Sequence, residues 1–300
     1  MKLVITGGTG FIGSHLAKYL LSKGHQVTVI DNLRRGKLEN LSGFENEINF
    51  QKVDILNFES LREAFHDAEG IFHQAALTSV PESYTHKEKY HNVNVDGTEN
   101  VFKIGKEYGI KIIYASSSSV YGNPTSAPVD EESERNPINP YGMTKLEDEN
   151  LAERYWKLGS EIIGLRYFNV YGIGQTSDYA GVITKFNEAI KTGNSLTVFG
   201  DGSQIRDFVS VEDVAEANLL AMQSNTKTGF VNVGTGIPTS IYELANLMIK
   251  LSKKSLESVF DNLPEGDVKE SVADTTFAKK LIDWNYKTSL KDGLQKFFFN

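Results

Sequence analysis

The chain contains no cysteine, which excludes disulfide bridges and cysteine-ligated zinc and is consistent with a cytoplasmic location. Long apolar runs are missing as well. The opening Met1-Lys2-Leu3-Val4-Ile5-Thr6 stretch is too short for a signal peptide and is broken at once by Gly7. The apolar tail Phe297-Phe298-Phe299 is far too short to cross a bilayer, so it is expected to pack in a terminal helix and no membrane association is expected. Excess positive charge is absent too: 31 Lys and Arg against 39 Asp and Glu give a formal net charge of −8. That argues against a broad nucleic-acid footprint and requires any bound phosphate to be held by local groups. The six histidines show no His-Glu-x-x-His run, so no metal site is expected, and His73 reads as a strand-end packing or hydrogen-bonding residue. Neither a fixed-period repeat nor a low-complexity linker interrupts the chain.

What is present is ordinary globular composition, 40% hydrophobic and 23% charged over 300 residues, enough for one large unit and a smaller lobe. Short β-branched runs at Leu3–Thr6, Gln26–Asp31, Ile48–Asp54, Gly70–Gln74, Lys111–Ser116 and Glu161–Tyr167 alternate with segments of helical period. Strands separated by helices call for right-handed crossovers and a parallel sheet covered on both faces, an α/β doubly wound arrangement. After about residue 170 glycine-rich punctuation at 171–174, 199–202 and 233–236 loosens the rhythm. The expected division is a dinucleotide-binding domain over 1–170 and a smaller α/β lobe over 171–300, some of whose segments return to the first domain.

Directly after the first strand stands Gly7-Gly8-Thr9-Gly10-Phe11-Ile12-Gly13, followed by the helical pattern Ser14–Lys23. Glycines at 7, 10 and 13 permit a tight turn, close approach of backbone to a pyrophosphate and close helix packing, while the helix N-terminus offers N–H groups to the anion. At the end of the second strand, Asp31 can take the adenine-ribose hydroxyls and would repel a ribose phosphate, favouring NAD over NADP. Arg34 and Arg35 follow closely and pull the other way, because a guanidinium could neutralise that phosphate.

Pro140-Tyr141-Gly142-Met143-Thr144-Lys145 opens a helical stretch ending near Lys157. Tyr141 and Lys145 are four apart and share a helix face. A phenol titrates near ~10, and nearby positive charge lowers that value toward a range where phenolate acts as a base. The run Ser116-Ser117-Ser118-Ser119 ends an apolar strand at the sheet edge where ligands of open α/β sheets lie. Some of these hydroxyls serve a turn, and one is expected to face substrate.

These motifs, together with DNL at 31–33, Asp54-Ile55, HQAA at 73–76, NVDGT at 94–98, RYFNVYG at 166–172, GDGSQIRDF at 200–208 and NVGTG at 232–236, resemble the extended short-chain dehydrogenase/reductase (NAD-dependent epimerase/dehydratase) family. Within it they resemble the UDP-glucose 4-epimerase branch. The resemblance runs nearly end to end and implies a Rossmann fold, an NAD cofactor and a UDP-sugar substrate. It implies that Ser117, Tyr141 and Lys145 are catalytic, and that Gly7, Gly10, Phe11, Ile12, Gly13, Asp31, Asn32 and Ser116 bind cofactor. Asp54 and Ile55 are then placed at the adenine, Ala75, Ala76 and Asn94 along the cofactor channel, and Tyr167 near the nicotinamide. Thr78, Asn169, Arg206, Asp267 and Ser271 are placed with the substrate, Asn169 and Arg206 at its diphosphate. The implied reaction is transient oxidation of the sugar at C4 and return of hydride to the other face. A homodimer formed through segments 92–108 and 141–157 is also implied.

Four positions bear on which branch of the family the chain resembles. Ser118 and Ser119 stand where 4,6-dehydratases of this family carry an Asp-Glu pair, and the decarboxylases use a glutamate here, which counts against both reactions. Pro264 stands where the epimerase pattern commonly has a phosphate-binding arginine. Ser271 corresponds to a pocket gate where a small residue leaves room for an acetamido group; equally, it could simply begin the next segment. A catalytically silent NAD-binding regulator is the alternative from another class, although both Tyr141 and Lys145 are retained.

Overall fold

The computed structural model describes residues 1–175, 181–262 and 268–299. The strands are β1 (Lys2–Thr6), β2 (Gln26–Ile30), β3 (Ile48–Gln51), β4 (Gly70–His73), β5 (Lys111–Ser117), β6 (Ile162–Tyr167) and β7 (Asn169–Tyr171). They continue as β8 (Leu196–Phe199), β9 (Ile205–Arg206), β10 (Phe208–Ser210), β11 (Thr228–Val233), β12 (Thr239–Ser240), β13 (Ser258–Asp261) and β14 (Glu270–Ser271). The helices are α1 (Phe11–Ser22), α2 (Phe58–Ala64), α3 (Val80–Thr85), α4 (Lys87–His91), α5 (Gly97–Tyr108) and α6 (Pro140–Lys157). After them come α7 (Val182–Thr192), α8 (Val211–Gln223), α9 (Ile241–Ser252), α10 (Thr276–Ile282) and α11 (Leu290–Phe299).

Seven strands form one sheet in the order β11-β6-β5-β4-β1-β2-β3, and every neighbouring pair is parallel. Such a sheet needs apolar cover on both faces, and strand alternation supplies it. In β1, Leu3 and Ile5 enter one core while Val4 enters the other. The first core is closed by α1 through Leu16, Ala17 and Leu20, and by α8 through Val214, Ala217 and Ala221. The second is closed by Leu61 of α2, Val101, Phe102 and Ile104 of α5, and Leu151 and Ala152 of α6. This is the doubly wound architecture read from the strand and helix alternation.

Six of the seven strands are those of the sequence reading, with ends shifted by one to three residues: β1 and β5 are each one residue longer and the other four are shorter. The third stops at Gln51 rather than Asp54, because the chain turns away there: Val53 N–H donates to the Gln51 carbonyl and Asn57 N–H to the Asp54 carbonyl. The seventh, β11, comes from residues 228–233 and pairs with β6 along its whole length.

The remaining chain builds a smaller α/β assembly with its own core, made by Ile183, Phe186 and Ile190 of α7, Leu196 and Val198 of β8, and Leu244 and Met248 of α9. Phe297 and Phe298 of α11 pack against it. In this region β7 pairs with β10, β8 with β13, and β9 lies between β12 and β14.

Trp284, with 0% exposure, fastens the chain after α10 to the first core, and its Nε1–H donates to the Asp213 carbonyl at 3.0 Å. Trp284→Ala is expected to lower unfolding free energy by about 3–5 kcal/mol, a loss of transfer energy plus a cavity, measured by urea denaturation. A loss under about 1 kcal/mol would show that the site collapses around the gap.

Candidate active site

The connections on the two sides of β1 run in opposite directions, leaving a crevice at its carboxyl end beside β4, where open α/β sheets take ligands. Gly7 holds φ +69°, and a Cβ there would lie 2.7 Å from the Ala75 backbone; a Cβ on Gly13 would lie 2.3 Å from the Gly7 carbonyl oxygen. The loop is therefore closed to any side chain at these two points. Gly10 caps α1 without a side-chain acceptor, and no acid occupies the first turn, so the positive helix end faces the crevice uncompensated. These features fit the pyrophosphate of a dinucleotide.

Asp31 is buried at the end of β2. Its Oδ2 accepts from Thr9 N–H at 3.2 Å and its Oδ1 from Leu33 N–H at 2.9 Å, so the carboxylate also ties the glycine loop to the second strand. It lines a cavity of about 120 Å³ with Asn32, Ile55, Ala75, Ala76 and Arg35. Arg35 is engaged by Glu82 of α3, which also accepts from Lys89 at 3.0 Å. Asp54 stands behind this wall: its Oδ2 accepts from Asn32 Nδ2 at 2.8 Å. Asn94 is fully buried, and its amide is used by Leu77 N–H at 2.7 Å, the Leu77 carbonyl at 2.9 Å and Thr144 Oγ1 at 3.0 Å. It fixes the channel wall to α6.

Helix α6 starts where the sequence places it. Pro140 occupies the first turn, and the Asn139 side chain caps the helix by accepting from Gly142 N–H at 2.8 Å. This start brings Tyr141 and Lys145 onto a cleft of about 330 Å³, which continues from the crevice and is also lined by Phe11, Ile12, Thr78, Ser116, Ser117 and Tyr167. Lys145 Nζ donates to the Ala115 carbonyl at 3.0 Å and to Asp148 Oδ2 at 3.1 Å. Ser116 Oγ is spent on Glu149 Oε1 at 2.7 Å, whereas Ser117 Oγ, among the described residues, accepts only from Ser119 N–H at 3.1 Å. Ser118 and Ser119 form a short turn, Ser118–Tyr121. Tyr167 hydroxyl contacts Gln74 and Asn218, and burial pushes its phenol well above the usual range. His73 places its ring nitrogens on Thr6 and Thr98 at 2.7 and 2.8 Å. Burial, assisted by the Lys145 charge, lowers its pKa to about 3 and keeps it neutral.

A separate cavity of about 200 Å³ is lined by Asn169, Lys185, Phe199, Gln204, Arg206 and Ile241. Its geometry is held by Asp207. That buried carboxylate accepts from Thr235 N–H at 2.7 Å, Thr235 Oγ1 at 2.6 Å, Gly236 N–H at 2.8 Å and Ala273 N–H at 3.2 Å. Burial nevertheless raises its pKa above the usual carboxylate range. Asn169 donates from its backbone N–H and its Nδ2 to the Asp207 carbonyl. Ser271 pairs in register with Arg206 across β14 and β9. Asp267 and Pro264 lie outside the described residues.

Sequence reading missed four contributors: Asp148, Glu149, Arg166 and Lys185. Glu149 is fully buried and receives Arg166 Nε and Nη2, each at 2.9 Å. A signal was available, since positions 141, 145, 148, 149 and 152 form one helical stripe, and acids on a stripe otherwise buried need partners.

The model of the NAD dependent epimerase/dehydratase family matches residues 3–234. The UDP-glucose 4-epimerase of Thermotoga maritima, solved with UDP-glucose, superimposes with a TM-score of 0.94 at 35% identity, covering 98% of this chain and 96% of that one. The UDP-N-acetylglucosamine 4-epimerase of Methanobrevibacter ruminantium, solved with UDP-N-acetylmuramic acid, gives 0.94 at 34% identity and covers 99% and 96%. A UDP-N-acetyl-alpha-D-glucosaminuronate decarboxylase of Bacillus cytotoxicus is 33% identical over 308 residues, 98% of this chain and 96% of its own. With the glycine crevice, the tyrosine and lysine on one cleft and the family match over most of its length, the chain belongs to the NAD dependent epimerase/dehydratase family.

Proposed function

We propose that the protein is an NAD-dependent UDP-sugar 4-epimerase. The observation that carries this reading is one cleft, continuous with the dinucleotide crevice, on which Tyr141, Lys145 and Ser117 stand together, with a separate cavity that carries Arg206 and Lys185. In this reading residues 1–170 chiefly hold the cofactor and 171–300 chiefly the sugar nucleotide, with α8, β11 and α10 returning to the main sheet.

The glycine loop and the α1 N-terminus hold the pyrophosphate, Asp31 and Asn32 the adenine ribose, Ile55 the adenine side, and Lys145 and Tyr167 the nicotinamide end. Bound NAD supplies a reversible hydride acceptor for sugar C4. Tyr141 removes the proton of the C4 hydroxyl and returns it, Ser117 positions that hydroxyl, and Lys145 favours the phenolate by its charge. Arg206, Lys185 and Asn169 hold the diphosphate, and Phe199 lies along the nucleotide. Lys185 brings to this cavity a second cation, the role that Pro264 cannot fill. Engagement of Arg35 by Glu82 leaves less positive charge for a ribose phosphate, in keeping with NAD. Dehydration and decarboxylation lack their acid, since Ser118 and Ser119 occupy that turn.

A cytoplasmic homodimer completes the reading, its interface formed by the outer faces of α5 and α6. Among the described residues no helix is long and apolar enough to cross a membrane. Sedimentation equilibrium is expected to give twice the 33.4 kDa chain mass; a monomer at micromolar concentration removes the interface.

Incubation with UDP-glucose is expected to yield the C4 epimer. Tyr141→Phe should retain cofactor and lose about 100-fold or more in turnover, as for removal of a general base. Near wild-type turnover in that variant would sink the mechanism, and a 4-keto-6-deoxy product from the wild type would place the protein in the dehydratase branch.

Small Ser271, beside Arg206, leaves room for an acetamido group. UDP-N-acetylglucosamine should therefore also be epimerised, and Ser271→Tyr should abolish that activity while sparing UDP-glucose. Equal effects on both sugars would remove Ser271 from the pocket.

A further inference from the structure

Lys145 is only 2% exposed. Two of its three ammonium donors are used by the Ala115 carbonyl and Asp148, leaving one for the cleft. Asp148 is 0% exposed, and its second oxygen, Oδ1, has no hydrogen-bond partner. Among the described residues it is the only carboxylate paired with Lys145. A half-satisfied buried acid is a poor packing residue, since an apolar side chain of similar volume usually serves stability as well or better. Its placement calls for a role based on charge.

Among the described residues no second charged side chain pairs with Asp148; its other neighbour is a neutral hydrogen-bonding hydroxyl, that of Thr98. On α6, Glu147 pairs with His91, and Glu149 is taken by Arg166 of β6, by Arg135 and by Ser116. From α5 the Thr98 hydroxyl faces Asp148, and behind it His73 of β4 is neutral. Tyr114 of β5 is buried, and its phenol is raised by burial and by the two acids Glu149 and Asp148. Burial likewise lifts Asp148 above the usual carboxylate range, against the pull of Lys145.

We propose that Asp148 is a positioning residue for the reaction: it aims the Lys145 ammonium and sets how much of that positive charge reaches the Tyr141 phenol. The proposal rests on the epimerase reading, in which Tyr141 is the base. Removing a negative charge eases proton loss from every neighbouring group, so Tyr141 and Lys145 respond in the same direction. Both limbs of the pH profile must then move together.

The test is the pH dependence of kcat/KM for UDP-glucose epimerisation by the NAD-loaded protein. Asp148→Asn is expected to move both limbs to lower pH by about one unit, with cofactor content unchanged. Asp148→Leu, similar in volume and apolar, must displace them the same way. Glu107→Gln, which removes an equal charge from an exposed pair with Arg62, should leave the limbs in place. Unmoved limbs with a uniform loss of rate, or failure of both Asp148 variants to fold, would assign the residue to the scaffold and overturn the proposal. Wild-type turnover tests the functional reading separately. Should that reading fail, ultraviolet difference titration of the tyrosinate, wild type minus Tyr141→Phe, still decides the point: the Asn variant must lower the midpoint, and an unchanged midpoint refutes the proposal.

Discussion

Glu149 has no exposed surface, and neither, within 1%, has the guanidinium of Arg166 that it receives in a two-point embrace. Around the same carboxylate gather Ser116 at the end of β5 and Arg135 from the loop before α6. Arg166 in turn donates to the Tyr121 hydroxyl at 2.7 Å and to the Glu131 carbonyl at 2.9 Å. One ion pair thus binds the helix that carries Tyr141 and Lys145 to the strands that carry Ser117 and Tyr167. Deleting Glu149 alone would strand the buried Arg166 charge at a cost of about 3–5 kcal/mol, whereas without Arg166 the carboxylate still keeps Arg135. Chemistry that requires a base, a cation and a hydroxyl on one small surface depends on this fixed relation between helix and sheet.

Asp207 serves the other lobe in the same way. Four donors from two separate stretches of chain converge on it, fixing the corner that carries Arg206 beside β14 and the loop after β11. Each lobe is therefore organised by a buried carboxylate at its ligand-bearing edge, and in both cases the hydrogen-bond donors offset the desolvation of the acid.

The main sheet was legible because its strands are short, β-branched and separated by helices of clear period, and because the glycine loop admits so few conformations. Helix α6 was legible from Pro140 to Lys157, since a proline at the opening of a stretch of helical period is a local signal. The sheet's last strand was not, because the run 228–233 belongs to a stretch that otherwise builds the smaller lobe, and nothing local says that it crosses back. At the site, positions whose chemistry is local in sequence line the two connected cavities, Gly7 and Asp31 the crevice and Tyr141 and Lys145 the cleft that continues from it. Asp54 and Asn94 stand one layer behind the channel walls, a distinction that depends on tertiary contacts with Asn32, Leu77 and Thr144. Lys185 was invisible for the same reason, since only the packing of α7 brings it to the Arg206 cavity.

The late arrival of β11 has a bearing on how the molecule is made. All six residues of β6 are buried in the finished sheet, yet its outer partner is not synthesised until some sixty residues later, after β7 to β10, α7 and α8. While the nascent chain emerges, that flank of β6 presents a row of unpaired backbone groups, an open template for any extended strand. The sheet that carries the cofactor crevice reaches its full width only when β11 pairs with β6, although the residues lining the crevice, from Gly7 to Val93, are made long before. Residues 228–233 reach that edge from within the stretch that otherwise builds the smaller lobe, so completion of the sheet is tied to synthesis of that lobe, and in the interval between the two strands the growing polypeptide carries an open β6 edge.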